Sequence, residues 1–174
     1  VVNNLTIDEA SVSTGRAVHV AGDFTALNEG DFLFTTDVTE ERVLFNGSAG
    51  QTLDAPSPFS FSRVEIANTG ATAPQVVITS QSDLTVTEQL TMTEGTVDMN
   101  GTLTIANRLK LDGGDLNVVD GSALMTADAS STSEAYIVYA NSDSDNKIDG
   151  TVTGDLTYQR YLDGIQNWYY IAAP

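Results

Sequence analysis

A chain of 174 residues, 41% hydrophobic and without cysteine, has the length of one domain with a continuous core and no means of building a disulfide framework or a thiolate metal site. Its 24 acidic residues against 7 basic ones leave a formal charge of −17, which repels phosphate backbones and anionic lipid surfaces, so nucleic acid is not an expected partner. No apolar run reaches the roughly 18 to 20 residues needed to cross a bilayer, and no membrane insertion is expected.

The chain opens at Val1-Val2-Asn3-Asn4, with no Met, basic segment or cleavage site, and reads as a piece of a longer protein whose export signal could have been removed. From there an apolar-x-apolar triplet recurs. It appears first at Leu5-Thr6-Ile7 and returns at Phe24-Thr25-Ala26, Val43-Leu44-Phe45, Val64-Glu65-Ile66, Leu84-Thr85-Val86 and Leu103-Thr104-Ile105, with Leu124 next, in steps of 19 to 21 residues. A second series begins at Val18-His19-Val20 and continues through Val38, Phe59-Ser60-Phe61, Val76-Val77-Ile78, Val97-Asp98-Met99, Leu116-Asn117-Val118 and Tyr136-Ile137-Val138. A third runs Phe32-Leu33-Phe34, Gln51-Thr52-Leu53, Ala71-Thr72-Ala73, Leu90-Thr91-Met92 and Leu109-Lys110-Leu111.

Side chains alternate across a strand, so each triplet sends its outer two residues to one face and its middle residue to the other. Three triplets per repeat of about 20 residues describe a triangular coil, each strand lying under its successor at about 4.8 Å. The expected fold is all-β: a parallel β-helix, or β-solenoid, of about seven coils of 19–21 residues. Asn46-Gly47, Glu94-Gly95, Asn100-Gly101, Gly113-Gly114 and Asp120-Gly121 fall between triplets, where the chain must bend. Helical periodicity with a capped start is absent. An antiparallel sandwich also has short alternating strands, but nothing in it demands an in-phase repeat, and three-residue strands are short for it.

After Leu124 the rhythm loosens. Residues 1–127 are assigned to the coils, and 128–174 to a last irregular coil, an acidic loop and an aromatic capping segment of the same domain. The loop Asn141–Gly150 carries Asp143, Asp145 and Asp149, an oxygen cluster that calcium could use. It departs from an EF-hand in having Lys147 at a ligand position and no closing glutamate, and a solvated acidic loop is the simpler reading. No other cofactor is expected. The aromatic tail suits a cap for an open solenoid end. The free edges of the first coil, at Val1 and Val2, and the aromatic segment of Tyr158, Tyr161, Trp168, Tyr169 and Tyr170 are therefore the expected assembly residues, with neighbouring domains or copies of the chain joined end to end as partners.

A carbohydrate-active β-helix needs convergent carboxylates on one face, and the outward column His19, Ser60, Val77, Asp98, Asn117 does not supply them. His19 lies between inward Val18 and Val20, so it should face solvent. Asp98 over Asn117 reads as a side-chain ladder, and Arg42 with Arg63 as a stacked pair flanked by acids. Threonines line up as Thr52, Thr72 and Thr91 and as Thr85 and Thr104; ice-binding solenoids use such ladders, but β-branched stacking is the stronger account, since Leu44 and Glu65 interrupt the series of Thr85 and Thr104. No catalytic residue is assigned.

Val43-Leu44-Phe45-Asn46-Gly47-Ser48-Ala49-Gly50-Gln51-Thr52-Leu53, then Phe61 to Asn68 and Leu84 to Asn100, resemble the repeats of large surface and secreted Bacteroidota proteins exported by the type IX route. Gly154-Asp155-Leu156-Thr157-Tyr158-Gln159-Arg160-Tyr161-Leu162 with Trp168 to Pro174 resembles the segment that follows those repeats. The resemblance covers about residues 40 to 174 and implies an extracellular or cell-surface, modular protein, often adhesive or matrix-forming. It transfers no catalytic residue. The family's sorting domain is not within this sequence, so export and anchoring are expectations for the parent protein. The expected function is a spacer, adhesin module or self-assembling fibre (filament) subunit, without enzyme activity. The alternative is a carbohydrate-binding or carbohydrate-active β-helix, with surface polysaccharide as partner.

Overall fold

The computed structural model describes residues 1–8, 11–34, 41–126, 136–139, 150–161 and 168–172, with only the backbone for 34, 136–139, 159–161 and 168–172. The chain winds as a parallel β-solenoid. Its strands run, coil by coil, as β1 (Leu5–Ile7), β2 (Ser11–Thr14), β3 (Val18–Val20); β4 (Phe24–Ala26), β5 (Gly30–Phe34), β6 (Val43–Phe45); then β7 (Gln51–Asp54) and the long β8 (Phe59–Ala67). Above them lie β9 (Val76–Ile78) and β10 (Asp83–Glu94); β11 (Thr96–Met99), β12 (Thr102–Ile105), β13 (Arg108–Leu111); and β14 (Asp115–Val118), β15 (Ser122–Thr126), β16 (Tyr136–Tyr139). The last elements are β17 (Val152–Thr153), β18 (Leu156–Tyr161) and β19 (Trp168–Ala172).

These strands form three columns. The first is the seven-stranded sheet β1-β4-β7-β9-β11-β14-β17. The second runs β2, β5, the first half of β8, the first half of β10, β12, β15 and β18. The third runs β3, β6, the second halves of β8 and β10, β13 and β16. Every one of these pairings is parallel; among the described residues only β19 reverses, pairing antiparallel with β18. From β1 to β14 the coil closes about five turns, fewer than the seven expected, before a longer turn leads to β17.

The shortfall has a physical origin. A residue 19 positions on is the next rung only where the turn carries no insertion, as for Leu5 and Phe24. Phe24 pairs with Leu53 and Leu53 with Ile78, so these turns take 29 and 25 residues. A 19- to 21-residue step across a lengthened turn lands one column short. The series read from the sequence as one column therefore changes column: Leu5 and Phe24 lie in the first, Val43 and Val64 in the third, Leu84 and Leu103 in the second.

Four further expectations are corrected. Ala71-Thr72-Ala73 is an exposed loop, not a strand, so Thr72 stacks on neither Thr52, in the first column, nor Thr91, in the third. Leu124 faces outward, and the inward pair of β15 is Ala123 and Met125, at 2% and 0% exposure. Ile137 and Tyr139 stand opposite Leu109 and Leu111, not in phase with Leu116. The outward series from His19 to Asn117 divides as well: His19 lies in the third column, Ser60 in the second, and Val77, Asp98 and Asn117 in the first. Val38 lies outside the described residues.

Inside the triangle the alternation holds. Leu84, Val86, Leu103, Ile105, Leu109, Leu111, Leu116 and Met99 are buried, while Thr85, Thr104, Lys110 and Asn117 between them stay partly exposed. In the wider early coils the axis is filled by rings from all three sides: Phe24 sits 6.1 Å from Phe45, 5.7 Å from Phe59 and 5.2 Å from Phe61, a tilted and edge-on cluster that adds to area burial. Gly101 and Gly121 stack at one corner, where a Cβ on either would run into neighbouring backbone: the carbonyl oxygens of Thr79 and Ser82 for Gly101, and that of Gly101 for Gly121. At Gly95, φ is +91°, a conformation that side chains resist.

Candidate functional site

The outward groups are where chemistry would have to reside, and they are largely tied to the adjacent rung. In the first column Asp98 and Asn117 are register partners, and Asn117 Nδ2 donates to Asp98 Oδ1 at 3.0 Å, as the sequence suggested. The ladder extends one rung further, where the Thr153 hydroxyl donates to Asn117 Oδ1. In the second column Ser60, Thr85 and Thr104 follow one another in register.

The third column carries most of the positive charge among the described side chains. Arg42 and Arg63 precede the paired Val43 and Val64, which puts them on adjacent rungs, and Arg63, Gln89 and Arg108 continue the row. Stacked cations repel at such spacing unless neutralised. Arg42 pairs with Glu65, Arg63 Nη2 lies 2.6 Å from Glu88, and Lys110 Nζ lies 2.7 Å from Asp112. Arg108 Nη1 donates to Gln89 Oε1 at 3.0 Å, and Thr93 donates to Glu65 at 2.9 Å. The stacked arginine pair flanked by acids is therefore present, as part of a longer mesh. His19 stands on the same column, half-buried, with Nδ1 3.3 Å from Asn46 Nδ2.

Sequence reasoning missed a buried polar corner between the third and first columns. Gln51 takes an inward position in β7 and is 2% exposed. Its Nε2 donates to the carbonyls of Val20 at 3.0 Å and Gly22 at 2.6 Å, and its Oε1 accepts from Gly47 N at 3.0 Å and Asn68 Nδ2 at 2.7 Å. Asn68, 1% exposed, also donates to Ala49 O and accepts from Gly70 N. Gln75 extends the corner by accepting from Thr96 N at 2.7 Å. One signal was available: a glutamine at a triplet's inward position, close to Asn46-Gly47. At another corner Thr79 and Ser82 play a similar part, Ser82 Oγ accepting from Ala55 N and Thr79 donating to Asp54.

Of the expected assembly residues, Val1 is 91% exposed and Val2, at 38%, bridges in parallel to Val20. Tyr158 packs against the core. Tyr161, Trp168, Tyr169 and Tyr170 lie on the backbone of β18 and β19, Tyr161 opposite Trp168; their side chains are outside the description. Asp143, Asp145 and Asp149 also fall outside the described residues. Among those described, no group of three His, Cys, Asp or Glu is placed to hold a metal ion.

Architecture and surface together define a β-solenoid whose outward polar groups bind coil to coil. The chain matches no protein-family model, no curated protein and no solved structure.

Proposed function

We propose that this chain is a structural or adhesive module of an extracellular bacterial surface protein, acting through rigidity and surface display. The observation that carries the reading is the engagement of outward polar groups in rung-to-rung contacts: Asp98 with Asn117, Arg42 with Glu65, Arg63 with Glu88, Arg108 with Gln89. Carboxylates held by a cation or an amide on the next coil reinforce the rod and are poorly disposed to converge on a substrate. The charge of −17 favours a soluble, well-separated rod over contact with anionic surfaces. The likeness of residues 40 to 174 to type IX-exported Bacteroidota repeats supports the extracellular location.

The test is surface labelling of the producing bacterium with antibodies raised against this chain, together with incubation of the purified chain with acidic and neutral polysaccharides. Labelling of intact cells and unchanged polysaccharide are expected. Labelling only after permeabilisation, or release of reducing ends, would overturn the reading.

A further inference from the structure

The axis of the rod is not evenly filled. Through β4 to β8 it is closed by the rings of Phe24, Phe45, Phe59 and Phe61. The next coil, β9 and β10, buries Val76, Ile78, Leu84, Val86, Leu90 and Met92, none of them aromatic. Leu84 and Val86 stand in register on Phe59 and Phe61, so side-chain bulk falls from one rung to the next. The backbone ladder fixes the width of the coil, and a rung with smaller side chains cannot draw inward to compensate. All six residues line a void, which Phe61 borders on one side and Val97, Leu103 and Leu116 on the other.

The void leaves about 20 Å³ for the centre of a water-sized sphere, where roughly 10–15 Å³ is room for one. Every described residue around it is apolar, and each is 5% exposed or less. A water there would find no hydrogen-bond partner, and apolar voids stay dry for that reason. The lining lacks contacts on its inner side, and an apolar guest restores the dispersion attraction that the gap forfeits. Met92 strengthens it, since a thioether is soft and polarisable.

We propose that this axial void is a binding site for one small apolar guest, an uncharged gas of the size of xenon or dioxygen, and that it excludes water. The site is internal, so it depends on no face or end of the rod meeting another molecule. Because the lining is buried, the guest enters through local opening of the coil.

Proton–carbon correlation NMR of methyl-labelled protein under rising xenon pressure tests the site. Saturating shifts are expected at the methyls of Val76, Val86, Val97 and Leu103, which line the void, and none at Val20 and Val43, equally buried in the first two coils but away from it. Val97→Ile adds one methylene to the lining and is expected to reduce the response at Val76 and Leu103 several-fold with circular dichroism unchanged. Val76→Ile, on the adjacent rung, is the second variant should Val97→Ile fold poorly. The absence of saturating shifts, shifts spread evenly over all core methyls, magnetisation transfer from a bound water to the lining methyls, or a response that survives in both variants would each overturn the proposal.

Discussion

Asn68 and Gln51 are bonded side chain to side chain at 2.7 Å in a corner where both are almost wholly buried, and the pair ties the carbonyls of Val20, Gly22 and Ala49 to a single polar knot. A buried donor or acceptor left without a partner costs about 1–3 kcal/mol. Gln51→Leu removes one side of several such bonds at once, so it is expected to lower unfolding free energy by about 3 kcal/mol or more, taking the upper end of that range. Thr52→Val, one residue away but partly exposed, should change it by less than about 0.5 kcal/mol. Urea unfolding of the two variants checks this; equal stabilities would mean the corner is wet or differently bonded.

The inward and outward faces of β15 are tested by a charge. Met125, 0% exposed, and Leu124, its outward neighbour, differ by one position. Met125→Asp should prevent folding or cost several kcal/mol, because an unpaired carboxylate would sit in the core, whereas Leu124→Asp should be mild. Circular dichroism with thermal melting distinguishes the pair, and the reverse order would place the strand one residue out of register.

Gly101 and Gly50 make a second contrast. A Cβ at Gly101 meets the carbonyl oxygens of Thr79 and Ser82, while one at Gly50 meets nothing within 4 Å. Gly101→Ala should destabilise by more than about 1 kcal/mol through backbone displacement. Gly50→Ala should be neutral or stabilising by about 0.4–1 kcal/mol, since it reduces only the freedom of the unfolded chain. Similar losses at both sites would contradict the corner stacking.

The charged mesh of the third column should contribute modestly. With side-chain exposures of 31% for Arg42 and 17% for Glu65, their pair is partly screened. Glu65→Gln is expected to cost about 1 kcal/mol at low salt and less at high salt. A loss that does not respond to ionic strength would show that Glu65 acts through packing or neutral hydrogen bonds.

Much of this architecture was legible in the triplets. The alternation at Leu84-Thr85-Val86 and Leu103-Thr104-Ile105 determines which residues enter the core, because a strand has no third choice of face. Column membership was harder to read. Periodicity counts residues, while a rung counts space, and the lengthened turns around Leu53 convert a regular count into a change of side. Leu124 misled because it follows Leu103 by 21 residues, a step the repeat allows, whereas the true register partner, Ala123, follows by 20; a slip of one residue exchanges the faces. Gln51 was legible as inward but not as satisfied, since its partners arrive from backbone 29 and 31 residues away. The Arg42 and Arg63 stack and the Asp98–Asn117 ladder were visible because each pair sits on adjacent rungs with no long excursion between them.

The chain is a three-column parallel coil in which Ser60, not Glu65, lies beneath Thr85. Paired cysteines in this cysteine-free chain measure it directly, because neighbouring parallel strands lie about 4.8 Å apart, within disulfide reach. Under mild oxidation S60C/T85C is expected to close an intramolecular disulfide, quantified by mass spectrometry, whereas E65C/T85C, with its cysteines on different sides of the coil, should remain reduced. Closure of E65C/T85C in place of S60C/T85C would contradict the register on which the fold and the ladders depend.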